Sequence, residues 1–542
     1  MNNAVFTFDS PQNEPICPYL PNSIEVQRLQ AELLRQSNQV VEIPLLIGGK
    51  EVRTGKLGKV VMPHNHQHVL ANYHMAGEAE IDLAMQSAVA ARELWEDVPW
   101  LERSGIMLRV AELLSKKYRD LVNAATMLGQ SKTPFQSEID AACETIDFLR
   151  YNVYFASQIY GDQPKSEFGQ FNRMEYRALE GFVFAVTPFN FTSIASNLNM
   201  AVALMGNTTV WKPATTALLS NYYLMKVFIE AGMPAGVINF IPGRGSVIGS
   251  QVLKNKHLAG IHFTGSNNTF NSLWKGVSDN LSRYVSYPKL VGETGGKDFI
   301  FVHQSAEPVE VATAIIRGAF EYQGQKCSAA SRAYIPKSLW PTIKQVLVDE
   351  LDTLKTGDVM DFSNFMNAVI DEGSYKTIMG YIELAKNSSE CEIISGGKGN
   401  MEVGYYIEPT VILTTNPMFR TMQEELFGPV ITLYVYEDSR YEETLRLCDQ
   451  TSPYGLTGAN FSNDKYAMLK ASKILRYAAG NFYINDKPTG AMVGLQPFGG
   501  ARASGTNDKA GGNLNLIRWV SPRTIKETFI PARDYRYPFM GG

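Results

Sequence analysis

One cysteine in a polar stretch of the chain could provide a nucleophile. Cys327 lies in "EYQGQKCSAASR" (residues 321–332), directly after an apolar run over residues 308–320. By itself, a cysteine is more often a small buried hydrophobe than a reactive thiol. A nucleophilic Cys327 would need a base for the thiol or for a water molecule, and hydrogen-bond donors for an oxyanion.

The carboxylates offer a better base than the histidines do. The seven histidines lie at positions 64, 66, 68, 74, 257, 262 and 303. None follows Cys327 closely, so a Cys–His hydrolase is poorly supported. Glu293, in "LVGETGGKDF", stands beside Gly295 and Gly296, whose missing side chains let a ligand approach and leave the carboxylate open to water. The segment taken alone fits a solvated turn equally well.

Hydrogen-bond donors and a cation occur where strands are predicted to end. Asn190 of "TPFNF" could donate its side-chain amide to an oxyanion together with the N–H of Cys327, although an Asn more often simply ends a strand. Lys212 of "VWKPA" suits a ribose or a phosphate. A glycine-rich turn between a strand and a helix could place a diphosphate at a helix N-terminus; its glycines are Gly243, Gly245 and Gly249.

The elements that position these residues are those of an α/β fold. Apolar residues at three- and four-residue spacing predict helices over residues 78–161, and alternation predicts an exposed hairpin over residues 170–180. From residue 181 strands and helices alternate, which is typical of parallel βαβ units. Such sheets bind ligands at the carboxyl ends of their strands, which here carry Asn190, Lys212, Gly243 and Ser266.

Two further segments complete the outline. A second α/β block extends from about residue 297 to about residue 487 and contains Cys327. Residues 518–530, "RWVSPRTIKETFI", predict an extended strand with no partner nearby in the sequence. Together with the 170–180 hairpin, this strand predicts an element that is lent to another subunit.

Composition excludes several classes of function. The 542 residues are 45% hydrophobic and 19% charged with a net charge of −4, so a nucleic-acid partner is not expected. The apolar runs are far shorter than the ~20 residues of a membrane span, so no membrane association is expected. Five cysteines without paired spacing fit a reducing compartment and argue against disulfides or zinc. The N-terminus predicts a cytoplasmic protein, or a matrix protein of mitochondria if the source is eukaryotic.

A histidine-rich stretch is the one candidate metal site in the composition. "HNHQHVLANYH" covers residues 64–74 and alternates as an exposed strand does. We therefore expect a strand there and no metal site.

Eight motifs in one order along the chain closely resemble the aldehyde dehydrogenase superfamily, over residues 45–530. They are "PFNF", "WKPA", the glycine-rich turn, "FTGS", "ETGGK", "GQKCSA", "EELFGPV" and "PFGGARASGTNDK". Glu293 precedes Cys327 by 34 residues, an interval similar to that between base and nucleophile in the superfamily.

The resemblance implies three domains and an assembly of at least two subunits. It implies a Rossmann-like NAD-binding domain, an α/β catalytic domain and a small β oligomerisation flap. The expected boundaries are residues 1–165 and 181–291 for the first domain, 292–487 for the second, and 166–180 with 515–542 for the flap. A homodimer or a larger homo-oligomer is expected.

Four segments resemble the glutamate-γ-semialdehyde dehydrogenases within the superfamily: "ETGGK", "GQKCSAASR", "NFYINDKPTGA" and "QPFGGARASGTNDKAGG" with "RWVSPRTIKET" after it. This likeness implies NAD-dependent oxidation of L-glutamate γ-semialdehyde, formed from Δ1-pyrroline-5-carboxylate, to L-glutamate. That reaction is the second step of proline catabolism, so functional coupling to proline dehydrogenase is expected. A broad-specificity aldehyde dehydrogenase, a CoA-acylating relative and a catalytically silent scaffold protein stay open as alternatives.

The resemblance also assigns roles to individual residues. Cys327 would be the nucleophile, Asn190 and the Cys327 N–H would hold the oxyanion, and Glu293 would activate water. The residues expected at NAD are Lys212, Glu425, Phe427, Pro188, Ser266 and Gly243. The residues expected at the substrate are Ser328, Gly490 and Ala491 for its α-carboxylate, Phe191 and Phe498 for its chain, and Glu144 for its ammonium. Some use of NADP is expected, because Thr215 offers no carboxylate to the ribose 2′-hydroxyl.

Overall fold

The N-terminal part is a layer of helices with short strands. The computed structural model describes residue 6 and residues 8–541. The strands are Val41–Ile43 (β1), Leu45–Ile47 (β2), Lys50–Val52 (β3), Leu57–Met62 (β4) and Asn65–His74 (β5). The helices are Ile24–Ser37 (α1), Glu78–Glu96 (α2), Trp100–Lys116 (α3), Arg119–Gln130 (α4), Pro134–Ser137 (α5) and Thr145–Gly161 (α6), with a π-helix, Glu138–Glu144, leading into α6. The helices predicted over residues 78–161 are confirmed.

The next part alternates strands and helices as predicted. Its strands are Gln170–Arg177 (β6), Phe182–Val186 (β7), Thr208–Lys212 (β8), Ile238–Phe240 (β9), Leu258–Thr264 (β10) and Lys289–Glu293 (β11). Its helices are Thr192–Leu204 (α7), Leu218–Glu230 (α8), Gly245–Val252 (α9) and Asn267–Asp279 (α10).

Strands β7 to β11 join β2 and β3 of the N-terminal part in a seven-stranded sheet, in the order β11-β10-β7-β8-β9-β2-β3. Strands β7 to β11 run parallel, whereas β2 and β3 join antiparallel at the edge. Strand β10 is buried along its whole length, because helices cover both faces of the parallel part and favour a continuous apolar run. Parallel pairing brings the strand ends to one edge, so that Lys212 pairs with Val186, and Glu293 pairs with Thr264.

The second block builds a sheet of its own. Its strands are Asp298–Val302 (β12), Ala330–Pro336 (β13), Cys391–Ser395 (β14), Gly399–Asn400 (β15), Tyr406–Ile407 (β16), Thr410–Thr414 (β17), Val430–Tyr436 (β18), Tyr454–Gly455 (β19), Thr457–Phe461 (β20), Asn481–Ile484 (β21) and Ala501–Arg502 (β22). Its helices are Pro308–Phe320 (α11), Trp340–Thr353 (α12), Glu372–Lys386 (α13), Arg420–Gln423 (α14), Tyr441–Gln450 (α15) and Lys465–Ile474 (α16). Seven strands form the order β14-β17-β18-β13-β12-β20-β21, parallel except for β14. The predicted α/β architecture with parallel sheets is confirmed.

The C-terminal segment corrects the predicted hairpin. After the short helix Asn513–Leu516 (α17), the strand Ser521–Thr528 (β23) pairs antiparallel with β6 over eight residues, from Arg177 to Gln170. Residues 170–180 therefore hold one strand rather than a hairpin, and the C-terminal strand has its partner within the same chain. Polar and apolar residues alternate with the same period in a hairpin and in a single strand of a two-stranded ribbon. The local sequence pattern therefore could not distinguish a hairpin from one strand.

The histidine-rich stretch forms a strand that is only partly exposed. Residues 65–74 form β5 and His64 lies in the turn before it; His64 and His74 are buried, with 2% and 5% of their surface exposed. The predicted strand is confirmed and its predicted exposure is wrong, because β5 packs between β1 and β4. Among the described residues, none of the helices combines the length and the apolar composition that a membrane crossing requires.

Candidate active site

The segment before Cys327 has an unusual backbone. Tyr322, Gln323 and Gly324 have φ values of 52°, 56° and 64°, three left-handed residues in succession. Residues other than glycine rarely adopt this backbone conformation. At Gly324 a glycine is required on steric grounds as well, because a Cβ there would lie 2.2 Å from the carbonyl oxygen of Gly428. The strained turn ends three residues before Cys327, the predicted nucleophile, so surrounding contacts must hold it in place.

Two buried glutamine side chains hold this turn. The Gln323 amide nitrogen donates to the carbonyl oxygens of Ser131 and Ala368, both at 2.8 Å. The Gln325 side-chain oxygen accepts the N–H of Ile370 at 2.9 Å. These bonds fasten the nucleophile segment both to the N-terminal helical layer and to the chain before α13.

Cys327 and Glu293 are in contact. The Cys327 Sγ donates to Glu293 Oε1 at 3.5 Å, and only 9% of Cys327 is exposed. Burial, and secondarily the Glu293 charge, raises the pKa of the Cys327 thiol well above its usual range. Burial likewise raises the pKa of Glu293 to about 7. A carboxyl group with this pKa can accept or release a proton at neutral pH.

The backbone of Glu293 is clamped by a loop near the C-terminus. Glu293 forms an isolated antiparallel bridge with Gly505. On either side, the Thr294 N–H donates to the Ser504 carbonyl and the Thr506 N–H donates to the Gly292 carbonyl, both at 2.9 Å. A Cβ at Gly505 would lie 2.2 Å from the Gly292 carbonyl oxygen, so only glycine permits this approach. The "SGTNDK" motif thus positions Glu293, the predicted base, a role that its sequence did not disclose.

Lys509, from the same loop, is the cation that acts on Glu293. Its ammonium donates to the carbonyl oxygens of Gly480 and Gly499 at 2.8 Å and to Asn481 Oδ1 at 3.3 Å. The Lys509 charge lowers the pKa of Glu293 and thereby opposes the effect of burial. Sequence analysis did not assign this role to Lys509. Lys509 ends the motif "PFGGARASGTNDK" but lies 216 positions after Glu293, and nothing in the motif indicates a contact with that residue.

Asn190 reaches the nucleophile segment. Its Nδ2 donates to the Gln325 carbonyl oxygen at 2.9 Å, two residues before Cys327. A side-chain amide nitrogen carries two hydrogens, so one stays available for an oxyanion. The Cys327 N–H is also available, because it donates to no acceptor within the described part of the chain. The two predicted oxyanion donors therefore come from two adjoining segments.

The residues predicted for the substrate carboxylate lie beside the nucleophile. Ser328 Oγ and Thr489 Oγ1 share a buried hydrogen bond of 2.8 Å, which joins the nucleophile segment to the turn carrying Gly490 and Ala491. Gly490 has a φ of +97° and is exposed. The N–H groups of Gly490 and Ala491 have no recorded acceptor among the described residues, as expected of a turn that binds an anion.

The residues predicted for the rest of the substrate are Phe191, Phe498 and Glu144. Phe191 and Phe498 are half-buried rather than fully enclosed in the core. Glu144, at the end of the π-helix, accepts a hydrogen bond of 2.7 Å from Ser193 Oγ. Burial raises the pKa of Glu144 to about 8, with a further contribution from Asp140.

A buried ion pair beneath Phe191 was not predicted. Lys132 and Asp140 pair at 2.6 Å with their side chains 1% and 0% exposed. Asp140 accepts the first N–H groups of α7, from Thr192 and Ser193, which satisfies the helix N-terminus. The Lys132 ammonium lies 4.3 Å from the Phe191 ring centroid. The pair fixes the start of α7 and with it the segment of Asn190 and Phe191.

Three residues predicted for the diphosphate and ribose gather at the edge of the first sheet. Lys212 ends β8, and burial lowers the pKa of its ammonium. No carboxylate pairs with it in the described residues, which fits a cation awaiting a ligand. A Cβ at Gly245, the first residue of α9, would lie 3.9 Å from Lys212 Nζ. The Lys212 ammonium therefore lies at the N-terminus of α9, which begins two residues after Gly243. Ser266 caps α10, and its Oγ accepts the Thr269 N–H at 3.3 Å.

The remaining predicted cofactor residues lie nearer the nucleophile. Glu425 Oε1 accepts the Gly296 N–H at 2.9 Å, and burial raises the pKa of Glu425 to about 7. The Phe427 ring meets the Phe189 ring edge-on at 5.7 Å between centroids, next to the half-buried Pro188. Among the described residues, no group of three or more His, Cys, Asp or Glu side chains could hold a metal ion.

Comparison with known proteins agrees with this geometry. A profile of the aldehyde dehydrogenase family matches residues 52–525. A protein from Dictyostelium discoideum named mitochondrial delta-1-pyrroline-5-carboxylate dehydrogenase is 52% identical over 534 residues, covering 98% of this chain and 96% of that protein.

Solved structures agree as well. The delta-pyrroline-5-carboxylate dehydrogenase from Mycobacterium tuberculosis bound with NAD has a TM-score of 0.96 at 48% identity, with both chains fully covered. Proline utilization A (PutA) from Bdellovibrio bacteriovorus has a TM-score of 0.90 at 26% identity, covering 96% of this chain and 54% of that chain. The chain belongs to the aldehyde dehydrogenase family, as its eight ordered motifs predicted.

Proposed function

We propose that this protein is an NAD-dependent dehydrogenase that oxidises L-glutamate γ-semialdehyde, formed from Δ1-pyrroline-5-carboxylate, to L-glutamate in proline catabolism. One observation carries the proposal. The Cys327–Glu293 pair, at 3.5 Å, lies beside a turn whose Gly490 and Ala491 N–H groups are free to bind a carboxylate. The names of the relatives from Dictyostelium discoideum and Mycobacterium tuberculosis support the same substrate.

The reaction begins with proton transfer from the nucleophile. The Cys327 thiol donates to Glu293 Oε1, so Glu293 can take its proton as sulfur attacks the aldehyde carbon. The C–S bond forms and the carbonyl oxygen becomes an oxyanion. The Cys327 N–H and the second Asn190 amide hydrogen stabilise that oxyanion in a water-poor site.

The residues at the sheet edge fit NAD. Lys212 and Glu425 would hold its two riboses, Ser266 and Gly243 would lie at its diphosphate, and Phe427 with Pro188 would pack near its nicotinamide. When bound, NAD supplies the two-electron oxidation that turns the thiohemiacetal on Cys327 into a thioester. The unpaired Lys212 ammonium is the observation that favours a dinucleotide there.

Hydrolysis of the thioester completes the cycle. Glu293, once it has released the first proton, accepts a proton from water as the water oxygen attacks the thioester carbon. The C–S bond breaks, the carboxylic acid leaves and Cys327 regains its proton. Lys509 stabilises the ionised form of Glu293 during this step.

Three sets of residues recognise the substrate: one binds its α-carboxylate, one its aliphatic chain and one its ammonium. The Gly490 and Ala491 N–H groups and the Ser328 hydroxyl bind the α-carboxylate. Phe191 and Phe498 flank the aliphatic chain. Glu144 meets the ammonium, whose charge favours the ionised form of this carboxyl group.

The flap and the compartment complete the proposal. The β6–β23 ribbon supports a homodimer or a larger homo-oligomer. We propose the cytoplasm, or the mitochondrial matrix in a eukaryotic cell. The name of the relative from Dictyostelium discoideum, which says mitochondrial, supports the second location. The neighbour named proline utilization A, a chain about twice as long, supports functional coupling to proline dehydrogenase.

NADH formation with Δ1-pyrroline-5-carboxylate tests the proposal, with propanal and succinate semialdehyde as competing substrates and NADP as a competing cofactor. A strong preference for Δ1-pyrroline-5-carboxylate is expected, with NAD preferred over NADP. Equal use of propanal would leave a broad-specificity aldehyde dehydrogenase. Acyl-CoA formation in the presence of CoA would indicate an acylating enzyme. Failure to bind NAD would indicate a catalytically silent scaffold protein.

A further inference from the structure

The N-terminal strap, defined here as residues 8–22, is bound to the helical layer by buried charges. The Glu14 side chain is 7% exposed and accepts hydrogen bonds of 2.7 Å from Ser115, Arg119 and Arg150. Such a satisfied, buried carboxylate fixes an extended segment that has no helix or strand of its own.

A second anchor lies further along the strap. The Cys17 N–H donates to Glu138 Oε1 at 2.8 Å, and the Tyr19 hydroxyl donates to Glu138 Oε2 at 3.1 Å. Glu138 is the first residue of the π-helix that ends at Glu144. The strap is therefore attached along the element that carries the residue proposed to bind the ammonium.

Asn13 joins the strap to the anion-binding turn. Its Nδ2 donates to Asp147 Oδ2 and to the Val493 carbonyl oxygen, both at 2.8 Å. Its Oδ1 lies 3.2 Å from the Tyr151 hydroxyl oxygen, whose single hydrogen is donated to the Pro11 carbonyl oxygen at 2.8 Å. One half-buried side chain thus spans α6, the strap and the loop two residues after Ala491.

The same loop is packed against α6 by apolar contacts. Val493 is 5% exposed and forms a small cluster with Phe148 and Tyr151. Gly494 has a φ of +81°, and a Cβ there would lie 2.1 Å from the Tyr151 ring. The loop at Val493 and Gly494 is therefore packed on α6 and also bonded to Asn13, which is itself bonded to α6 through Asp147.

We infer that Asn13 is a positioning residue that sets the carboxylate-binding turn at Gly490 and Ala491 against the helix bearing Glu144. The expected effect of Asn13 on substrate binding rests on the proposed function. Its effect on the position of the turn does not. Asn13 does not touch Cys327, Glu293 or the cofactor residues. Its loss should therefore weaken binding of a substrate that carries both an α-carboxylate and an ammonium, and leave the chemistry of simple aldehydes intact.

Kinetics with two substrates tests this role. Asn13→Ala should raise KM for Δ1-pyrroline-5-carboxylate by about tenfold, the effect of one to two lost hydrogen bonds, with little change in kcat. Asn13→Asp should raise it further, because it would face the Asp147 carboxylate. Propanal oxidation and NAD affinity should stay at wild-type values. Gln12→Ala is the matched control, since Gln12 is exposed on the same strap.

Hydrogen–deuterium exchange gives a second readout that does not depend on the substrate. Asn13→Ala should speed exchange in residues 489–496 while residues 465–474 exchange as in the wild type. Unchanged exchange in residues 489–496, or equal KM changes for both substrates, would overturn the inference. A wild-type enzyme that does not prefer Δ1-pyrroline-5-carboxylate would instead contradict the proposed function, and exchange would still decide the role of Asn13.

Discussion

A thiol and a carboxyl group in one water-poor site compete for protons. Burial raises the pKa of both Cys327 and Glu293, so each group is more readily protonated than in water. Their contact at 3.5 Å lets the thiol proton pass to the carboxylate when sulfur attacks. In the proposed reaction, the same carboxylate must then lose that proton before it can activate water. The chemistry therefore depends on how the site sets the pKa of Glu293.

Replacing the base should slow turnover without affecting the cofactor. Glu293→Gln is expected to lower steady-state NADH formation by roughly 10²–10⁴, the range for a general base, and Cys327→Ala to abolish it. Both variants should bind NAD with wild-type affinity, measured by titration calorimetry. Full activity in either variant would contradict the assigned role.

The pH dependence of turnover should report Glu293. Only its ionised form acts as a base, so activity should rise with pH through about 7, the pKa of Glu293. Lys509→Met removes a charge that lowers this pKa, so the acid limb should move to higher pH. Lys509→Arg keeps the charge and serves as the control. Identical profiles for Lys509→Met and wild type would refute a role for the Lys509 charge.

Gly295 offers a direct test of the cofactor site. A Cβ at this position would lie 2.0 Å from Glu425 Oε2, so Gly295→Ala must displace the Glu425 carboxylate. We expect the Kd for NAD to rise about tenfold, the cost of one charge-assisted hydrogen bond to a ribose. Gly380→Ala is the matched control, because nothing lies within 4 Å of its Cβ position. Equal Kd values for the two variants would argue against Glu425 as a ribose ligand.

At the scale of elements, sequence patterns located the strands better than the turns. The buried strands β7 and β8 and the helix α8 follow from apolar runs and their lengths. The turn at residues 322–324 does not, because only its glycine signals positive φ. Its geometry depends on Gln323, whose partners Ser131 and Ala368 lie 192 and 45 residues away. Likewise, nothing local in the sequence shows that Asp140 caps α7 or that residues 504–506 clamp Glu293.

Gln323 should be essential to the nucleophile segment. Gln323→Leu leaves the Ser131 and Ala368 carbonyl oxygens buried without donors, at about 1–3 kcal/mol for each unsatisfied group. We expect a lower melting temperature by calorimetry and a larger loss in kcat than in NAD affinity. Gln345→Leu, at an exposed position on α12, is the control. A wild-type melting temperature for Gln323→Leu would show that the turn does not depend on this amide.

At the scale of the whole molecule, the family and the α/β architecture followed from the sequence, because the motifs stand in a fixed order at the strand ends. The proposed domain boundaries stay a prediction. The subunit arrangement depends on surfaces outside one chain, which a sequence pattern cannot position.

The flap carries an exposed apolar surface that suits a second subunit. Phe168, Phe171, Phe529 and Ile530 at one end of the β6–β23 ribbon are 105%, 46%, 62% and 80% exposed. Phe529→Asp with Ile530→Asp should shift the protein toward monomer in sedimentation velocity, because charges oppose burial of that surface. Leu94→Asp, at a residue that is 78% exposed on α2, is the control. An unchanged sedimentation coefficient would place the subunit interface elsewhere.

The ribbon also imposes an order on synthesis. Strand β6 leaves the ribosome well before its partner β23, because 344 positions separate Arg177 from Ser521. At about 5–20 residues per second, β6 waits many seconds as an unpaired edge strand while the rest of the chain is made. Unpaired edges invite wrong pairing, and the charged and polar residues of "QFNRMEYR" counter this risk. A chain that stops short of β23 would keep both seven-stranded sheets, yet lack the ribbon through which we propose that it meets its partner.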